Sequence, residues 1–225
     1  RKLFDESILE SAVDSGAELW LSSSPISAEQ DDSEVSIKIS TPDGEKTVRC
    51  SMLCGADGAH SWVRRRFRMG RPKEMIVGFQ IEVSGYVGEE GKLDMYTGSE
   101  IAPGFFAWAI PSGDTTRIGV WSKAEMLEGK SPEQLLKALM YNSQWSHRFS
   151  DCREVGRFCG PVPSGLVKRP LKGRVMLFGD AAGLCKPTTG GGIGPGFKHV
   201  ETMISDLLRR VEGELTQVQL DSIVA

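Results

Sequence analysis

The sequence predicts an α/β (α+β) fold, a nucleotide-binding framework interrupted by an antiparallel, β-rich insertion. Three observations carry this reading. Near the C-terminal end an apolar run, Val175 to Phe178, enters a Gly-Asp pair and a glycine-rich stretch before a long amphipathic helix. Earlier, another strand-like run enters a similar small-residue turn, Cys54-Gly55-Ala56-Asp57-Gly58. Between them, from about Met75, the texture changes to alternating strand-like segments.

Taken in order, Leu3, Phe4, Ile8, Leu9 and Ala12 fall on one helical face that ends at Gly16. Strand-like runs around Val35 to Ile39 and Thr47 to Leu53 follow, joined by Pro42-Asp43-Gly44, which supplies the dihedrals of a hairpin turn. Ser61 can then cap a short helix containing Trp62, Val63 and Phe67. The β-rich part comprises Ile76 to Val83, Lys92 to Tyr96, Phe105 to Ile110 and Thr116 to Trp121. Ser131-Pro132-Glu133-Gln134 forms a capping box, opening a helix with Leu135, Leu136, Leu139 and Met140 on its apolar side. Val155 to Val162 reads as a further strand. In the last helix Phe197, Val200, Met203, Ile204, Leu207, Leu208 and Val211 recur at helical spacing, with Pro195 in its first turn and Gly213 placed to stop it.

With 225 residues and an ordinary apolar fraction, the chain can bury the core of one large domain or two small ones. A net charge of -3 and a pI near 5.7 give no general attraction to nucleic acid, and Arg64-Arg65-Arg66 is too short a basic run to argue for it. Five cysteines at irregular spacing form neither a disulfide framework nor a zinc pattern, and point to a reducing compartment. Cys50 and Cys54 read as small buried thiols. No metal site is expected. No run approaches the roughly 20 apolar residues of a membrane span, and no signal peptide is recognised. Because the chain opens on Arg1 and a helix-like stretch, an N-terminal part is expected to be missing.

The chemistry is concentrated in GDAAGLCKPTTGGGIG, Gly179 to Gly194. A carboxylate at a strand end can accept from hydroxyls, while glycines ahead of a helix let backbone amides approach an anion where the helix dipole is positive. The pattern suits a ligand with hydroxyls and phosphates; a glycine-rich connector without a ligand is the plain alternative. Cys185 lies in this loop, where a small filling residue is the favoured reading over a catalytic acid, and no residue is an obvious proton donor. Glu128-Gly129-Lys130-Ser131 mimics the end of a phosphate loop, but Ala124 stands at its first glycine position. No G-x-G-x-x-G occurs.

GADGAHSWVR, Gly55 to Arg64, and GDAAG, Gly179 to Gly183, together resemble the two internal flavin motifs of FAD enzymes of the p-hydroxybenzoate hydroxylase type. The resemblance implies the FAD-binding nucleotide fold of that type with an inserted antiparallel substrate sheet. It places Asp57, Gly58 and Arg64 near the pyrophosphate and Asp180 on the ribityl chain, with Gly179, Ala181, Gly183, Pro187, Gly190, Gly191, Gly192 and Ile193 completing the FAD site. The chemistry agrees, since carboxylate to hydroxyl and guanidinium to phosphate are charge-assisted contacts.

Lys186 to Ile193 (KPTTGGGI), Ala102 to Val120 (APGFFAWAIPSGDTTRIGV) and the opening RKLFDESILESAVDSGAE are similar to the geranylgeranyl reductase family, which reduces prenyl double bonds with reduced FAD. That family's aromatic-x-Trp-x-Phe-Pro pattern falls on Phe106, Trp108, Ile110 and Pro111, with phenylalanine for the usual tyrosine and isoleucine for phenylalanine. The family's following G-x-G becomes Gly119-Val120-Trp121. Read from the residues alone, this apolar strip is core or a surface for an isoprenoid tail.

These resemblances imply an isoprenoid lipid substrate, an electron donor that is a reduced nicotinamide or a ferredoxin-type protein, and a cytoplasmic chain with peripheral membrane contact. No basic amphipathic helix marks a docking place. The expected layout is an FAD-binding domain of residues 1–70 and 165–213, a β-rich substrate domain of 71–164, and the start of a C-terminal region at 214–225. Two other functions fit the same residues. Trp108-Ala109-Ile110-Pro111 matches half of a halogenase motif, which keeps a flavin-dependent monooxygenase or halogenase open. A non-catalytic flavin-fold fragment that binds an apolar ligand or a partner chain is the alternative of another class.

Overall fold

The computed structural model describes residues 2–224, which divide into two compact units. The first comprises the residues up to Leu53 together with Gly173–Val175. Helix α1 (Lys2–Asp14) forms as expected and ends near Gly16, whose φ of +98° suits glycine. Its apolar face is solvent-exposed, with Leu3 82% and Ile8 41% accessible. Strands β1 (Ser24–Gln30), β2 (Val35–Thr41) and β3 (Gly44–Cys50) make an antiparallel meander. The β2–β3 hairpin closes where Thr41 faces Gly44, the Thr41 hydroxyl donating to the Gly44 carbonyl at 2.8 Å. Ala28, Val35 and Ile37 are the buried apolar residues of this sheet. Arg174 ties the later pass of the chain to it, donating to the Asp32 carbonyl from Nε and Nη2 and to the Ser51 carbonyl from Nη1.

The run expected to continue to Leu53 breaks after Cys50 and resumes as a separate strand, β4 (Leu53–Gly55). Cys54 is exposed, not buried as expected, because only the alternate residues of this short strand face inward, Gly55 among them.

The second unit holds the elements that position the site. Helix α2 (Trp62–Arg66) starts at Ser61, whose Oγ accepts from the Arg64 amide at 2.9 Å. Strands β5 (Glu74–Ser84), β6 (Asp94–Tyr96), β7 (Ala107–Ser112) and β8 (Thr115–Lys123) follow. Helix α3 (Pro132–Lys137) opens with the expected capping box and passes into a π turn, Ala138–Asn142, before β9 (Arg153–Ser164). These strands form one antiparallel sheet in the order β6-β7-β8-β5-β9.

Alternation divides the sheet's faces. Phe79, Ile81 and Val83 of β5, Ala107 and Ala109 of β7, and Ile118 and Val120 of β8 make a core with Leu135, Leu136, Leu139 and Met140. The intervening positions, Gly78, Gln80, Trp108, Gly119 and Trp121, belong to the opposite face. The chain continues through β10 (Leu171–Lys172), β11 (Val175–Leu177), α4 (Ile193–Val211) and α5 (Gln217–Val224), with β10, β11 and β4 in one small sheet. The residues of β11 are fully buried, as expected of an apolar run entering a ligand loop. Of the apolar stripe on α4, Met203 and Leu207 are buried; Phe197, Ile204 and Leu208 are about half exposed. Among the described residues no helix is long and apolar enough to cross a membrane.

Candidate functional site

The turn after β4 is shaped by close packing. A Cβ on Gly55 would lie 2.9 Å from Leu177 and Val63, and Gly58 adopts a φ of +77°. Asp57 Oδ2 accepts from the Val63 amide at 3.0 Å, so this carboxylate joins Ser61 in satisfying the first turn of α2. The carboxylate expected near the pyrophosphate is thus engaged at the helix start.

Arg64 occupies an unexpected position. Its Nη1 donates to the Ala181 carbonyl at 2.7 Å and its Nη2 to the Ala59 carbonyl at 2.5 Å, and the residue is only 7% exposed. The guanidinium therefore braces one motif against the other. Burial draws its pKa down, with the Asp57 charge opposing and Arg65 reinforcing that shift. Sequence reasoning paired this arginine with the nearby turn and missed its partner, which lies 117 residues away.

The second motif follows β11 as a 3-10 turn, Gly179–Ala182. Gly179 and Gly183 both have positive φ, and a Cβ on Gly183 would stand 2.7 Å from the Gly165 carbonyl oxygen. Asp180 is half-buried in this turn and Ala181 is fully buried. The Cys185 thiol donates to Asp180 Oδ1 at 3.1 Å. Burial, and next that hydrogen bond to a carboxylate, push the Cys185 thiol up to about 12, so it stays protonated at neutral pH. The thiol thereby holds one oxygen of the Asp180 carboxylate in place.

Pro187 and Gly191 are exposed on the loop that follows, while the Gly190 amide donates to the Lys186 carbonyl at 2.8 Å and closes it. A Cβ on Gly192 would lie 2.8 Å from Asp180 Oδ1, so the backbone just ahead of α4 runs against the carboxylate. Gly192 caps α4 without a side chain, and Ile193 begins the helix. The first-turn amides of α4 therefore receive no side-chain cap. A carboxylate held at one oxygen, an amide cradle that added Cβ atoms would crowd and a helix N-terminus fit a flavin nucleotide with its ribityl hydroxyls and phosphates.

The apolar strip lies on the non-core face of the large sheet. Trp108 is 6% exposed, its indole N–H donating to Gln80 Oε1 at 3.3 Å, and Phe106 packs edge-on to it at 6.1 Å. Ile110, 40% exposed, and Pro111 lie farther along β7, opposite Arg117 and Thr116, away from this cluster. Phe105, which the sequence already placed in the apolar strip, stacks on Phe106 at 4.7 Å, and one residue absent from the expected site completes the cluster: Trp121 meets Trp108 at 4.8 Å. The alternation along β8, which puts Trp121 on the same face as Gly119, is the signal that could have found it. Gly190 is packed so closely on the Trp121 ring that a Cβ there would overlap it. The glycine loop and the aromatic wall therefore touch.

A framework of this kind, with two glycine-rich turns braced together beside an inserted antiparallel sheet, defines a flavin-binding domain. Residues 2–225 match the FAD binding domain family, and the chain belongs to that family. It is 30% identical over 200 residues to digeranylgeranylglycerophospholipid reductase 2 of Methanopyrus kandleri, covering 86% of this chain and 50% of the relative. The chain spans about half the length of the curated relatives it matches. Among solved structures, a geranylgeranyl bacteriochlorophyll reductase-like protein of Thermoplasma acidophilum superimposes with a TM-score of 0.86 at 22% identity, over 99% of this chain and 57% of that one. A flavin-dependent brominase gives 0.81 at 19% identity, over 98% and 58%. Both resemblances read from the sequence, to p-hydroxybenzoate hydroxylase-type FAD enzymes and to geranylgeranyl reductases, are borne out.

Proposed function

We propose that this chain forms the ribityl-binding and substrate-facing part of an FAD-dependent reductase of prenyl double bonds in an isoprenoid lipid. One observation carries the proposal: the Gly190 loop abuts a wall of Phe105, Phe106, Trp108 and Trp121. Among the described residues, the polar side chain bonded to these rings is Gln80, whose Oε1 accepts from the Trp108 indole. Such a surface suits a hydrocarbon chain. The names of the methanogen relatives agree with this substrate class.

When bound, reduced FAD supplies hydride for an alkene. The chain's own residues do the rest. Asp180, held at Oδ1 by Cys185, would accept from the ribityl hydroxyls, and the first-turn amides of α4, which receive no side-chain cap, would donate to the phosphates. Arg64 holds the two motifs in register. The aromatic wall orients the prenyl chain and excludes water from the reacting bond. A membrane-borne substrate would bring the protein to a membrane surface, and its electrons would come from a reduced nicotinamide or a ferredoxin-type protein.

The test is an anaerobic single-turnover reaction. The FAD-loaded chain, photoreduced, is mixed with a geranylgeranyl lipid and the product is weighed by mass spectrometry. Gain of two hydrogens per double bond supports the proposal. A product formed only with oxygen, hydroxylated or halogenated, would favour the second reading, which the Trp108-Ala109-Ile110-Pro111 run and the brominase fold keep in view.

A further inference from the structure

Trp121 stands in a more constrained position than its neighbours in the wall. Its backbone N–H donates to the Phe106 carbonyl at 2.9 Å, and its ring lies 4.8 Å from Trp108, 5.7 Å from Phe106 and 5.8 Å from Phe105. On the sheet side the ring is seated over Gly78, its register partner on β5, where a Cβ would overlap the five-membered ring. On the other side it meets Gly190, where a Cβ would overlap the benzo ring. Glycines on two distant segments thus leave space for one indole. Trp108 has its own seat over Gly119, and Gln80 fixes its orientation. With a neighbour on each side, Trp121 cannot swing without moving backbone or a second tryptophan, so it acts as a fixed stop.

Beside that stop the floor is open. Gly160 of β9 pairs with Gly78, and a Cβ there would have no neighbour within 4 Å. Phe158, two residues along and opposite Gln80, is 52% exposed. A linear apolar chain can lie over Gly160 with Phe158 as its side, and its advance toward the Gly190 loop ends at the Trp121 ring. We infer that Trp121 is a specificity-determining residue: its indole, wedged between Gly78 and Gly190, sets how far a prenyl chain enters and therefore which double bond reaches the flavin loop. This rests on the prenyl-reductase reading above.

Two prenols that differ by one isoprene unit, farnesol and geranylgeraniol, test it. Their dissociation constants are measured on the FAD-loaded chain by quenching of tryptophan fluorescence, with Trp108 as a reporter inside the wall. Trp121→Ala extends the track, so the preference for geranylgeraniol over farnesol rises by roughly tenfold, the scale set by extra apolar carbons in a hydrophobic site. Trp121→Phe keeps a smaller ring and the fold, and gives a rise of about threefold. Visible absorbance of bound FAD and thermal unfolding verify that each variant is loaded and folded. An unchanged preference in both loaded, folded variants overturns the inference while leaving the prenyl reading standing. Failure of the unsubstituted protein to bind either prenol overturns the prenyl reading and this inference with it.

Discussion

Replacement of Arg64 separates two roles that a motif arginine can play. The side chain is 7% exposed and makes two charge-assisted hydrogen bonds to backbone carbonyls. Ala181 is fully buried, so its carbonyl finds no water once the guanidinium is gone; Ala59 is partly exposed and can recover part of its loss. Hydrogen bonds to charged groups contribute about 1.5–3 kcal/mol each, and with one counted fully and one partly, Arg64→Ala costs about 2–4 kcal/mol. For a chain of this size that is a fall in Tm on the order of 10 °C. Arg64→Lys, whose single ammonium lacks the planar fork, recovers part of the loss. The assay is thermal and urea unfolding of the FAD-free protein. Unchanged stability together with a large loss of FAD affinity would refute the bracing role and return Arg64 to a phosphate contact.

Gly119→Ala forces a methyl group into the Trp108 ring and is expected to cost about 1–3 kcal/mol with a shift in tryptophan emission, measured by urea unfolding followed by fluorescence. His199 is packed against Phe178 at 4.9 Å with its Nδ1 buried and unpartnered among the described residues, and burial lowers its pKa from 6.5. The unfolded chain therefore takes up this proton at higher pH than the folded one. Stability present above about 6.5 is lost as the pH falls toward the lowered value, and His199→Phe flattens that part of the urea-midpoint profile between pH 7 and 5. Under native conditions at pH 8, iodoacetamide should modify the exposed Cys54 and Cys159 well before the buried Cys185, whose pKa of about 12 leaves almost no thiolate; peptide mapping gives the order.

What could be read from the sequence was local. Ser61 and the Ser131-Gln134 box cap helices because the donor and acceptor lie three residues apart, and the hairpin at Thr41 to Gly44 follows from its turn chemistry. The long strands of the insertion showed through because a sheet with one core face writes its alternation into the sequence. Strand β1, Ser-Pro-Ile-Ser-Ala-Glu-Gln, was not expected, since only Ala28 is buried and no apolar alternation marks it. The bonds from Arg64 to Ala181 and from Cys185 to Asp180 could not be read either: one spans 117 residues and the other depends on how a loop folds back. The same holds for the seats of Trp121. Gly78 and Gly190 look like ordinary strand and loop glycines until the ring is placed between them.

The most direct test of the account is the visible spectrum of the purified chain after incubation with FAD and gel filtration, taken beside Asp180→Ala. The account predicts a retained flavin band in the unsubstituted protein and a band weakened by roughly tenfold or more in affinity in the variant, as expected for loss of a charge-assisted contact to the ribityl hydroxyls. A colourless protein, or equal flavin retention in both, would contradict it.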